Sequence, residues 1–365
     1  MSGLSIYEKF LKLYFFTCFL YVCLKSKRVG IKNKILGVGG YLPDRVVSNF
    51  DLEKIVDTSD EWITKRTGIH NRHIADEKQS TSDLAVEAIK KAILNAKIDT
   101  NDIDMIICAT TTPDLTFPST ACIIQQKLGL NKTIIAFDIQ AVCSGFVYAV
   151  SIANDMMKNG KIKNAVVVGA EKMSSIIDWN DRTTCVLFGD GAGAVVLSSN
   201  NNEERSGIID TELCANGNFN DILFTNGGVS GNFGENSIRD FEGNVKARTS
   251  GAIKMNGQGV FKHAVEKMTS SIKEIVEING YKIDDVKLII PHQANYRILS
   301  LVAEKLEISD EKFMLTIGEH ANTSSASIPL ALDVAIQKKK IEKGDLVVFE
   351  ALGGGLTWGS ILLRL

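Results

Sequence analysis

Short apolar runs that suit buried strands alternate along this chain with segments of helical periodicity. Four runs consist mainly of branched apolar residues and are predicted strands: 104–110, 133–139, 165–170 and 192–198. Two segments between them, 119–128 and 144–159, have the spacing of apolar residues that favours helices. Nearly continuous apolar strands are typical of sheets that are covered on both faces. The order of elements therefore predicts an α/β layered fold.

This order of elements returns in the second part of the chain. Segments 143–170 and 323–352 both start with small residues, continue as an unusually apolar helix and a basic link, and end in a β-branched strand. Strand 288–291 and the helix after it likewise match strand 105–109 and the helix after it.

The repeated pattern predicts two similar βα halves, residues 34–205 and 206–365, related by a pseudo-twofold axis. In such an arrangement the helix N-termini at Cys143 and Asn322 take equivalent places and face one shared site. The two segments share a pattern rather than identical residues, so a chance similarity between two α/β units remains the alternative.

Charge and cysteine content exclude several classes of protein. The 41 lysines and arginines nearly balance 43 aspartates and glutamates, and the net charge of −2 disfavours a nucleic-acid-binding protein. Only 5 residues are proline and no long biased tract occurs, which excludes a largely disordered chain. The 7 cysteines form no CxxC pair and have no histidines at zinc-finger spacing. We therefore predict no disulfide framework, no metal site and a reducing compartment.

The first 33 residues differ in composition from the rest. Residues 13–24 carry no charge, and this run is shorter than the roughly 20 residues of a membrane-spanning helix, as in the core of a signal peptide. A basic stretch without acidic residues follows at 25–34. The pattern of residues 1–33, the leader, therefore predicts delivery to an apicoplast-like plastid through the secretory route. We expect the mature protein not to associate with a membrane. A membrane-anchoring or disordered extension and a cytoplasmic location remain the alternatives.

Cys143 is a candidate nucleophile. It stands in AVCSGF, at the junction of a predicted buried strand and a helix, among small residues that admit a substrate. A helix N-terminus favours the thiolate, which is the nucleophilic form. The alternative is a buried structural cysteine, the commoner fate of an isolated cysteine.

His292 and Asn322 are candidate partners of this cysteine. His292 follows the strand at 288–291, and strand C-termini of α/β sheets usually bear the ligand site. Asn322 stands just before the second apolar helix. A lone histidine or asparagine in such a place usually caps a helix or satisfies a backbone group. Three polar residues at three strand-to-helix junctions of a repeated fold favour a catalytic site instead.

These residues lie in motifs that resemble β-ketoacyl-acyl carrier protein synthase III, the initiating condensing enzyme of fatty acid synthesis in the thiolase superfamily. The resemblance runs from about Lys34 to the C-terminus. Its markers, in chain order, are DTSDEWITKRTGI (57–69), FPSTAC (117–122), VCSGF (142–146), FGDGAGA (188–194), PHQAN (291–295), NTSSAS (322–327) and GGGLTWGS (353–360). The resemblance implies a thiolase-like fold with α/β/α/β/α layers and a homodimer.

The resemblance also implies a reaction. Cys143 would attack an acyl-CoA, with acetyl-CoA the expected starter, while the backbone amides of Cys143 and Gly354 hold the oxyanion. After CoA leaves, malonyl-acyl carrier protein would enter, and His292 and Asn322 would donate hydrogen bonds to its thioester carbonyl as carbon dioxide departs. The resulting carbanion would attack the acylated Cys143 to give a β-ketoacyl product. No cofactor is implied, because the CoA thioesters are substrates.

Residue types separate this family from its relatives. A thiolase has a second cysteine before its glycine loop, where this chain has 350–352, EAL. Elongating synthases use two histidines, and hydroxymethylglutaryl-CoA synthase has a catalytic glutamate. Plant-type polyketide synthases share the Cys–His–Asn triad and remain the nearest enzymatic alternative, but their GFGPG loop is replaced by GGGLTWG.

The resemblance assigns further residues to the substrate. Trp62 and Arg182 would sandwich the CoA adenine, Arg66 would contact its phosphates, and Asn295 is placed in the same group. Phe117 would reach into the acyl pocket of the partner subunit. The alternatives are a core aromatic for Trp62, solvated charges for the arginines and an interface core residue for Phe117.

An acidic carrier protein predicts a basic rim near the tunnel, and Lys262, Arg297 and Lys305 match such positions of the family. Three residues depart from the family pattern. Glu304 stands where a basic residue is common, Ala321 where glycine precedes the catalytic asparagine, and Leu356 where phenylalanine is usual. These departures put the loop geometry and the shape of the pocket in doubt, while the chemistry is expected to stay intact.

Two alternatives come from other classes of function. A cysteine hydrolase would use Cys143 and His292 as well, and would release its acyl group to water. A catalytically inactive binding paralogue would keep the fold and lose the triad, and the three intact residues argue against it.

Overall fold

The computed structural model describes residues 32–200, 206–230, 237–239, 242–243, 245–247 and 251–365. The predicted leader therefore lies outside the described residues, apart from its last two positions. Among the described residues, no helix is both long and apolar enough to cross a membrane.

The elements follow one another as the alternation of apolar patterns predicts. The strands are β1 (Lys32–Tyr41), β2 (Val46–Ser48), β3 (Asn71–His73), β4 (Met105–Ala109), β5 (Ile135–Ile139), β6 (Asn164–Glu171), β7 (Gly191–Asn200), β8 (Gly207–Ala215), β9 (Leu223–Thr225), β10 (Ser237–Arg239), β11 (Val245–Ala247), β12 (Ile253–Met255), β13 (Leu288–Pro291), β14 (Leu346–Gly353) and β15 (Thr357–Arg364). The helices are α1 (Asn49–Leu52), α2 (Asp60–Thr67), α3 (Thr81–Ala96), α4 (Thr120–Lys127), α5 (Gly145–Met157), α6 (Gly257–Ile278), α7 (Tyr296–Lys305), α8 (Ile317–His320) and α9 (Ser327–Gln337).

Two mixed sheets with the same strand order form the frame of the fold. The first has the order β1-β7-β6-β4-β5, with β4, β5 and β6 parallel to one another and β7 antiparallel to both of its neighbours. The second has the order β8-β15-β14-β13, again with an antiparallel strand, β15, between β8 and β14. Where the first sheet has β5, the second has a single parallel bridge between Ile289 and Phe313.

The helices occupy three layers around these sheets. One apolar core joins α5 and α9 to the facing sides of both sheets, through residues such as Phe146, Val167, Ile328 and Phe349. A second core packs α3 and α4 on the outer side of the first sheet. A third core packs α6 and α7 on the outer side of the second sheet. The predicted α/β/α/β/α thiolase-like layering is confirmed.

The structure corrects the alignment of the two halves by two residues. α5 begins at residue 145 and α9 at residue 327, while β6 begins at 164 and β14 at 346, so both pairs differ by 182. Val142 and Ser324, also 182 apart, both have left-handed backbone, with φ of 50° and 51°. Cys143 therefore corresponds to Ser325, and the predicted equivalence of Cys143 with Asn322 is wrong. The sequence comparison was aligned on the first small residue of each segment, whereas the structurally equivalent positions are the left-handed turns at Val142 and Ser324.

Candidate active site

A tight turn at the start of α5 holds Cys143. Residues 142–144 form one turn of 3-10 helix, and the left-handed backbone of Val142 turns the chain from β5 into α5. The glycine loop after β14 lies against this turn. A Cβ atom on Gly353 would lie 2.8 Å from the backbone nitrogen of Cys143, so this close approach requires glycine. The loop that contains Gly354 is thereby placed beside Cys143.

His292 is fixed at the end of β13. Its backbone N–H donates to the carbonyl of Glu350 at 2.7 Å, and its ring Nδ1 lies 2.7 Å from the hydroxyl oxygen of Ser327. Burial lowers the pKa of His292 to about 3, although a hydrogen bond with the backbone of Ser324 acts in the opposite direction. The imidazole is therefore neutral at physiological pH.

Asn322 is held between the two halves by its own backbone. Its N–H donates to the carbonyl of Leu187, and its carbonyl accepts from the N–H of Gly189. The side-chain oxygen of Asn322 accepts from the backbone N–H of Ser324 at 2.9 Å. Since the amide oxygen is engaged, the Nδ2 group is the part of this side chain that can donate to a ligand.

One cavity of about 940 Å³ brings most of the predicted site residues together. Its lining includes all three members of the predicted triad, Cys143, His292 and Asn322. Predicted ligand-binding residues line it as well: Trp62, Arg66, Arg182, Asn295 and Arg297. Residues from α2, α6, α7, the turn before α5 and the end of β14 thus converge on one cavity.

The side chain of Cys143 is a neutral thiol in the unliganded protein. Burial raises the pKa of Cys143 to about 12, and the negative charge of Glu171 adds to this rise. A hydrogen bond with the Ser324 hydroxyl and the backbone N–H of Cys143 lower it in part. The backbone N–H at the helix start lowers the pKa as expected, but desolvation outweighs it in the unliganded site, so the thiolate is not the resting form.

Glu171 is a site residue that the sequence did not reveal. It ends β6, is fully buried, and accepts hydrogen bonds from residues of both halves. The donors are the hydroxyls of Thr110, Thr111, Thr112, Ser324 and Ser325 and the backbone N–H of Thr111. Burial raises its pKa, while these hydrogen bonds oppose the rise. A glutamate that ends an otherwise apolar strand was the available signal.

Trp62 lies close to two arginines in the lining of the cavity. The hydroxyl of Ser59 caps α2 by accepting the backbone N–H of Trp62 at 3.1 Å, which fixes this turn of the helix. The guanidinium carbon of Arg66 lies 4.4 Å from the centre of the Trp62 ring system, and that of Arg182 lies 5.0 Å from it. Arg182 also donates to the backbone carbonyl of Asp57 at 2.8 Å. Trp62 is thus a cation–π platform rather than a core aromatic.

The predicted carrier contacts are divided between the cavity and the surface. Arg297 lines the cavity, and its guanidinium lies 5.8 Å from the ring centre of Phe261. Lys262 on α6 and Lys305 at the end of α7 are exposed and do not line the cavity. Asn295 lines it and also caps α7, accepting the backbone N–H of Arg297 at 2.8 Å.

Phe117 stands apart from the cavity of its own chain. Its side chain is 82% exposed, the highest value among the large apolar residues of the described part of the chain. Neither Phe117 nor Gly354 is part of the cavity lining.

Comparisons with known proteins agree with this geometry. The family model described as 3-oxoacyl-[acyl-carrier-protein (ACP)] synthase III matches residues 137–217, and its C-terminal counterpart matches residues 276–365. The β-ketoacyl-acyl carrier protein synthase III of Wolbachia pipientis wMel is 56% identical over 334 residues, 91% of this chain and 99% of the relative. The corresponding protein of Ehrlichia canis (strain Jake) is 53% identical over 92% of this chain and 99% of the relative.

A solved structure of this kind is similar in fold over its whole length. The 3-oxoacyl-acyl carrier protein synthase III of Aquifex aeolicus VF5 has a TM-score of 0.81 and 48% identity, covering 91% of this chain and 100% of the other. The priming β-ketosynthase of the R1128 polyketide pathway has a TM-score of 0.81 and 31% identity, covering 93% of this chain and 98% of the other.

The organisms of the relatives contradict the predicted location of the protein in the cell. Wolbachia and Ehrlichia are bacteria, which have no plastid, so the predicted apicoplast-like location and plastid transit segment are wrong and the cytoplasmic alternative is favoured. The apolar run at 13–24 and the basic stretch after it are features of composition, and a run of this kind does not specify a receptor or an organelle.

Fold, cavity and sequence thus agree with one another. The resemblance that the seven motifs carry extends over 91% of the chain in relatives that are more than half identical to it. The chain belongs to the β-ketoacyl-acyl carrier protein synthase III family.

Proposed function

We propose that this protein joins an acyl-CoA starter, acetyl-CoA, to malonyl-acyl carrier protein with loss of carbon dioxide, and so initiates fatty acid synthesis. The observation that carries the proposal is the meeting of Cys143, His292 and Asn322 in one cavity with cationic groups at its mouth. CoA thioesters enter as substrates, and we expect no further cofactor.

The first half-reaction transfers the acyl group to the enzyme. The Cys143 thiol gives up its proton and its sulfur attacks the thioester carbonyl. The backbone N–H groups of Cys143 and Gly354 stabilise the oxyanion, and the collapse of the tetrahedral intermediate expels CoA. The close approach of the Gly353 backbone to Cys143 supports this assignment, because it places the glycine loop beside the reacting sulfur.

The second half-reaction forms the carbon–carbon bond. The side-chain amide of Asn322 and the imidazole of His292 donate hydrogen bonds to the malonyl thioester carbonyl, where negative charge develops as the C–CO₂ bond breaks. The new carbanion attacks the acyl carbon on Cys143, and the sulfur leaves. The burial of all three side chains strengthens these hydrogen bonds, because little water competes for them.

Trp62 and Arg182 are assigned to the adenine of CoA. A flat ring in van der Waals contact with both groups needs about 7–8 Å between them, at about 3.5–4.0 Å for each contact. The two groups lie 5.0 Å apart in the unliganded protein. Arg182 must therefore swing away from Trp62 when CoA binds, and Arg66 is placed to meet the phosphates.

The carrier protein and a second subunit complete the proposal. Lys262, Arg297 and Lys305 offer positive charge to an acidic carrier. A homodimer is proposed from the family resemblance, and the 82% exposure of Phe117 leaves this residue free to reach a second subunit. In the dimer, Phe117 would close the acyl pocket of the partner subunit.

A single assay tests the proposal against its alternatives. Purified protein is incubated with acetyl-CoA and malonyl-acyl carrier protein, and the carrier is analysed by mass spectrometry for the acetoacetyl product. We expect this product from the wild type, and from Cys143→Ala neither the product nor a covalent acetyl adduct. Release of free acetate without condensation would identify a cysteine hydrolase, and a persistent acetyl adduct on Cys143→Ala would refute Cys143 as the nucleophile.

A further inference from the structure

The Ser327 hydroxyl contacts three groups around His292. It lies 2.7 Å from Nδ1 of His292, it lies 2.9 Å from the backbone carbonyl oxygen of Ser324, and it accepts the backbone N–H of Gln293 at 3.3 Å. Ser327 is the first residue of α9 and is only 2% exposed. Protein groups therefore determine the hydrogen bonds of this hydroxyl.

Counting protons assigns a direction to each contact. A serine hydroxyl has one proton to donate and two lone pairs that accept. The carbonyl of Ser324 can only accept, so the contact at 2.9 Å uses the Ser327 proton. The contact with His292 is then satisfied only if Nδ1 carries hydrogen and donates to Ser327. In the opposite arrangement, Ser327 would donate to Nδ1 and its contact with the Ser324 carbonyl would be lost.

The tautomer determines what His292 can do in the cavity. Because Nδ1 faces Ser327, Nε2 is the ring nitrogen available to groups that enter the cavity. With hydrogen on Nδ1, neutral imidazole presents a lone pair at Nε2. Such a nitrogen accepts a proton, and it cannot donate to a thioester carbonyl until it has been protonated.

We propose that Ser327 is a positioning residue that holds resting His292 as the Nδ1–H tautomer, so that Nε2 accepts the thiol proton of Cys143 during acylation. This inference rests on the proposed function. The Nε2 proton then passes to the sulfur of the departing CoA, which leaves as the free thiol. The high resting pKa of Cys143 explains why an acceptor is needed.

The same tautomer accounts for the protons of the second half-reaction. Negative charge that develops on the enolate oxygen raises the pKa of His292, so that Nε2 takes a proton from solvent as the enolate forms and donates a hydrogen bond to it. Nε2 finally gives that proton to the Cys143 thiolate that the condensation releases. This series of steps consumes one proton, as the replacement of a carboxylate by carbon dioxide and a regenerated thiol requires. Asn322 remains the neutral donor throughout.

The two half-reactions should respond differently to the loss of this hydroxyl. Ser327→Ala removes the acceptor that holds hydrogen on Nδ1, so part of the population changes to the Nε2–H form. We expect acylation by acetyl-CoA to slow by about tenfold or more, since a positioned base contributes on the order of 10²–10⁴. Decarboxylation of malonyl-acyl carrier protein by enzyme that is already acylated should be retained or faster.

Nitrogen NMR tests the tautomer directly, without reference to activity. In protein labelled with ¹⁵N-histidine, the His292 signals are assigned by their loss in His292→Asn. We expect the Nδ1–H pattern in the wild type, a shift towards Nε2–H in Ser327→Ala, and recovery in Ser327→Thr, which keeps the hydroxyl. Ser325→Ala, in the same turn, should leave the tautomer unchanged because its hydroxyl contacts Ala109 and Glu171 instead.

The outcomes separate this inference from the proposed function. An Nε2–H pattern in the wild type overturns the role of Ser327 even if condensation is normal, and this measurement does not depend on any variant folding. An equal loss of both half-reactions in Ser327→Ala would show a merely structural role. An absence of acetoacetyl product from the wild type would refute the proposed function and leave the tautomer measurement valid.

Discussion

The hydroxyl of Ser324 donates to the carboxylate of Glu171 at 3.2 Å and joins the turn before α9 to the end of β6 in the other half. Ser324 also touches every member of the proposed triad. Its hydroxyl can turn from Glu171 to donate to Cys143 when the thiolate forms. Its backbone N–H donates to the Asn322 side chain, and its backbone hydrogen-bonds the His292 ring. Ser324, which has left-handed backbone, therefore contacts all three side chains at the interface between the two halves.

We expect Ser324→Ala to make Cys143 less reactive. The hydroxyl lowers the pKa of Cys143 against the larger effect of burial, so its removal should move the thiol pKa further upward. The pH dependence of alkylation of Cys143 by iodoacetamide, followed by peptide mass mapping, should then shift to higher pH. Mapping is needed because Cys122 is exposed and reacts as well.

Ser325→Ala is the matched control for this variant. Ser325 also donates to Glu171, at 3.0 Å, but does not contribute to the pKa shift of Cys143. Its alkylation profile should therefore stay close to that of the wild type. An unchanged profile in Ser324→Ala would show that its hydroxyl does not act on the thiolate.

We expect Ala321→Gly to stabilise the protein. Ala321 has φ of 56° and ψ of −161°, a backbone conformation adopted almost only by glycine, and it is fully buried. Strain of about 1–3 kcal/mol is opposed by the greater chain entropy of glycine, about 0.5–1 kcal/mol, so the net gain should be on the order of 1 kcal/mol. Denaturant unfolding measures it, and a loss of stability would contradict the prediction.

We expect the stability difference between Glu350→Gln and the wild type to grow with pH. Glu350 is fully buried, and neither oxygen of its carboxyl group has a hydrogen-bond partner among the described residues, so burial raises its pKa well above the ordinary value. Between the unfolded pKa, near 4.5, and the higher folded pKa, the unfolded chain loses a proton that the folded protein keeps. The wild type therefore loses stability as pH rises through this window, with a slope of up to about 1.4 kcal/mol per pH unit.

Melting temperatures at pH 5 and pH 8 measure this effect. The advantage of Glu350→Gln over the wild type should be larger at pH 8. Glu311→Gln, at an exposed glutamate, should show no such change between the two values. An advantage that is equal at both values would mean that Glu350 ionises in the folded protein as easily as in the unfolded chain.

The layered fold could be predicted from the sequence because long apolar runs are compatible with few structures other than buried strands and helices. The strand predicted at 165–170 is β6, Asn164–Glu171, and the helix predicted at 119–128 is α4, Thr120–Lys127. The short strands β2, β3 and β9 to β12 were not predicted, since three residues carry too little periodicity.

The electrostatics of the site could not be predicted from the sequence. The neighbours of Cys143 in the chain indicated a helix N-terminus and therefore a thiolate. The two largest influences on its pKa, burial and the hydrogen bond with the Ser324 hydroxyl, depend on tertiary contacts. The partner of His292, Ser327, lies 35 residues away in the chain, and only the fold brings the two together.

The last prediction concerns the surface that meets the carrier protein. Arg297 is exposed at the cavity and its guanidinium lies over the ring of Phe261. Arg297 and Lys305 belong to the same helix, α7. Charge reversal in Arg297→Glu should slow capture of an acidic carrier several-fold, through lost attraction and new repulsion. The carrier-dependent half-reaction should lose more than the acyl-CoA half-reaction, because the triad is not touched. Lys90→Glu, on the outer helix α3, is the matched charge reversal away from the cavity and should leave both half-reactions unchanged.

Salt provides an internal test of this electrostatic interpretation. Exposed charges more than about 8 Å apart are largely screened at physiological ionic strength, and higher salt shortens this distance further. Raising salt should therefore slow carrier capture by the wild type and narrow its difference from Arg297→Glu. An equal loss of both half-reactions would mean that Arg297 serves folding or CoA binding, whereas no loss in either would show that the carrier docks on another surface.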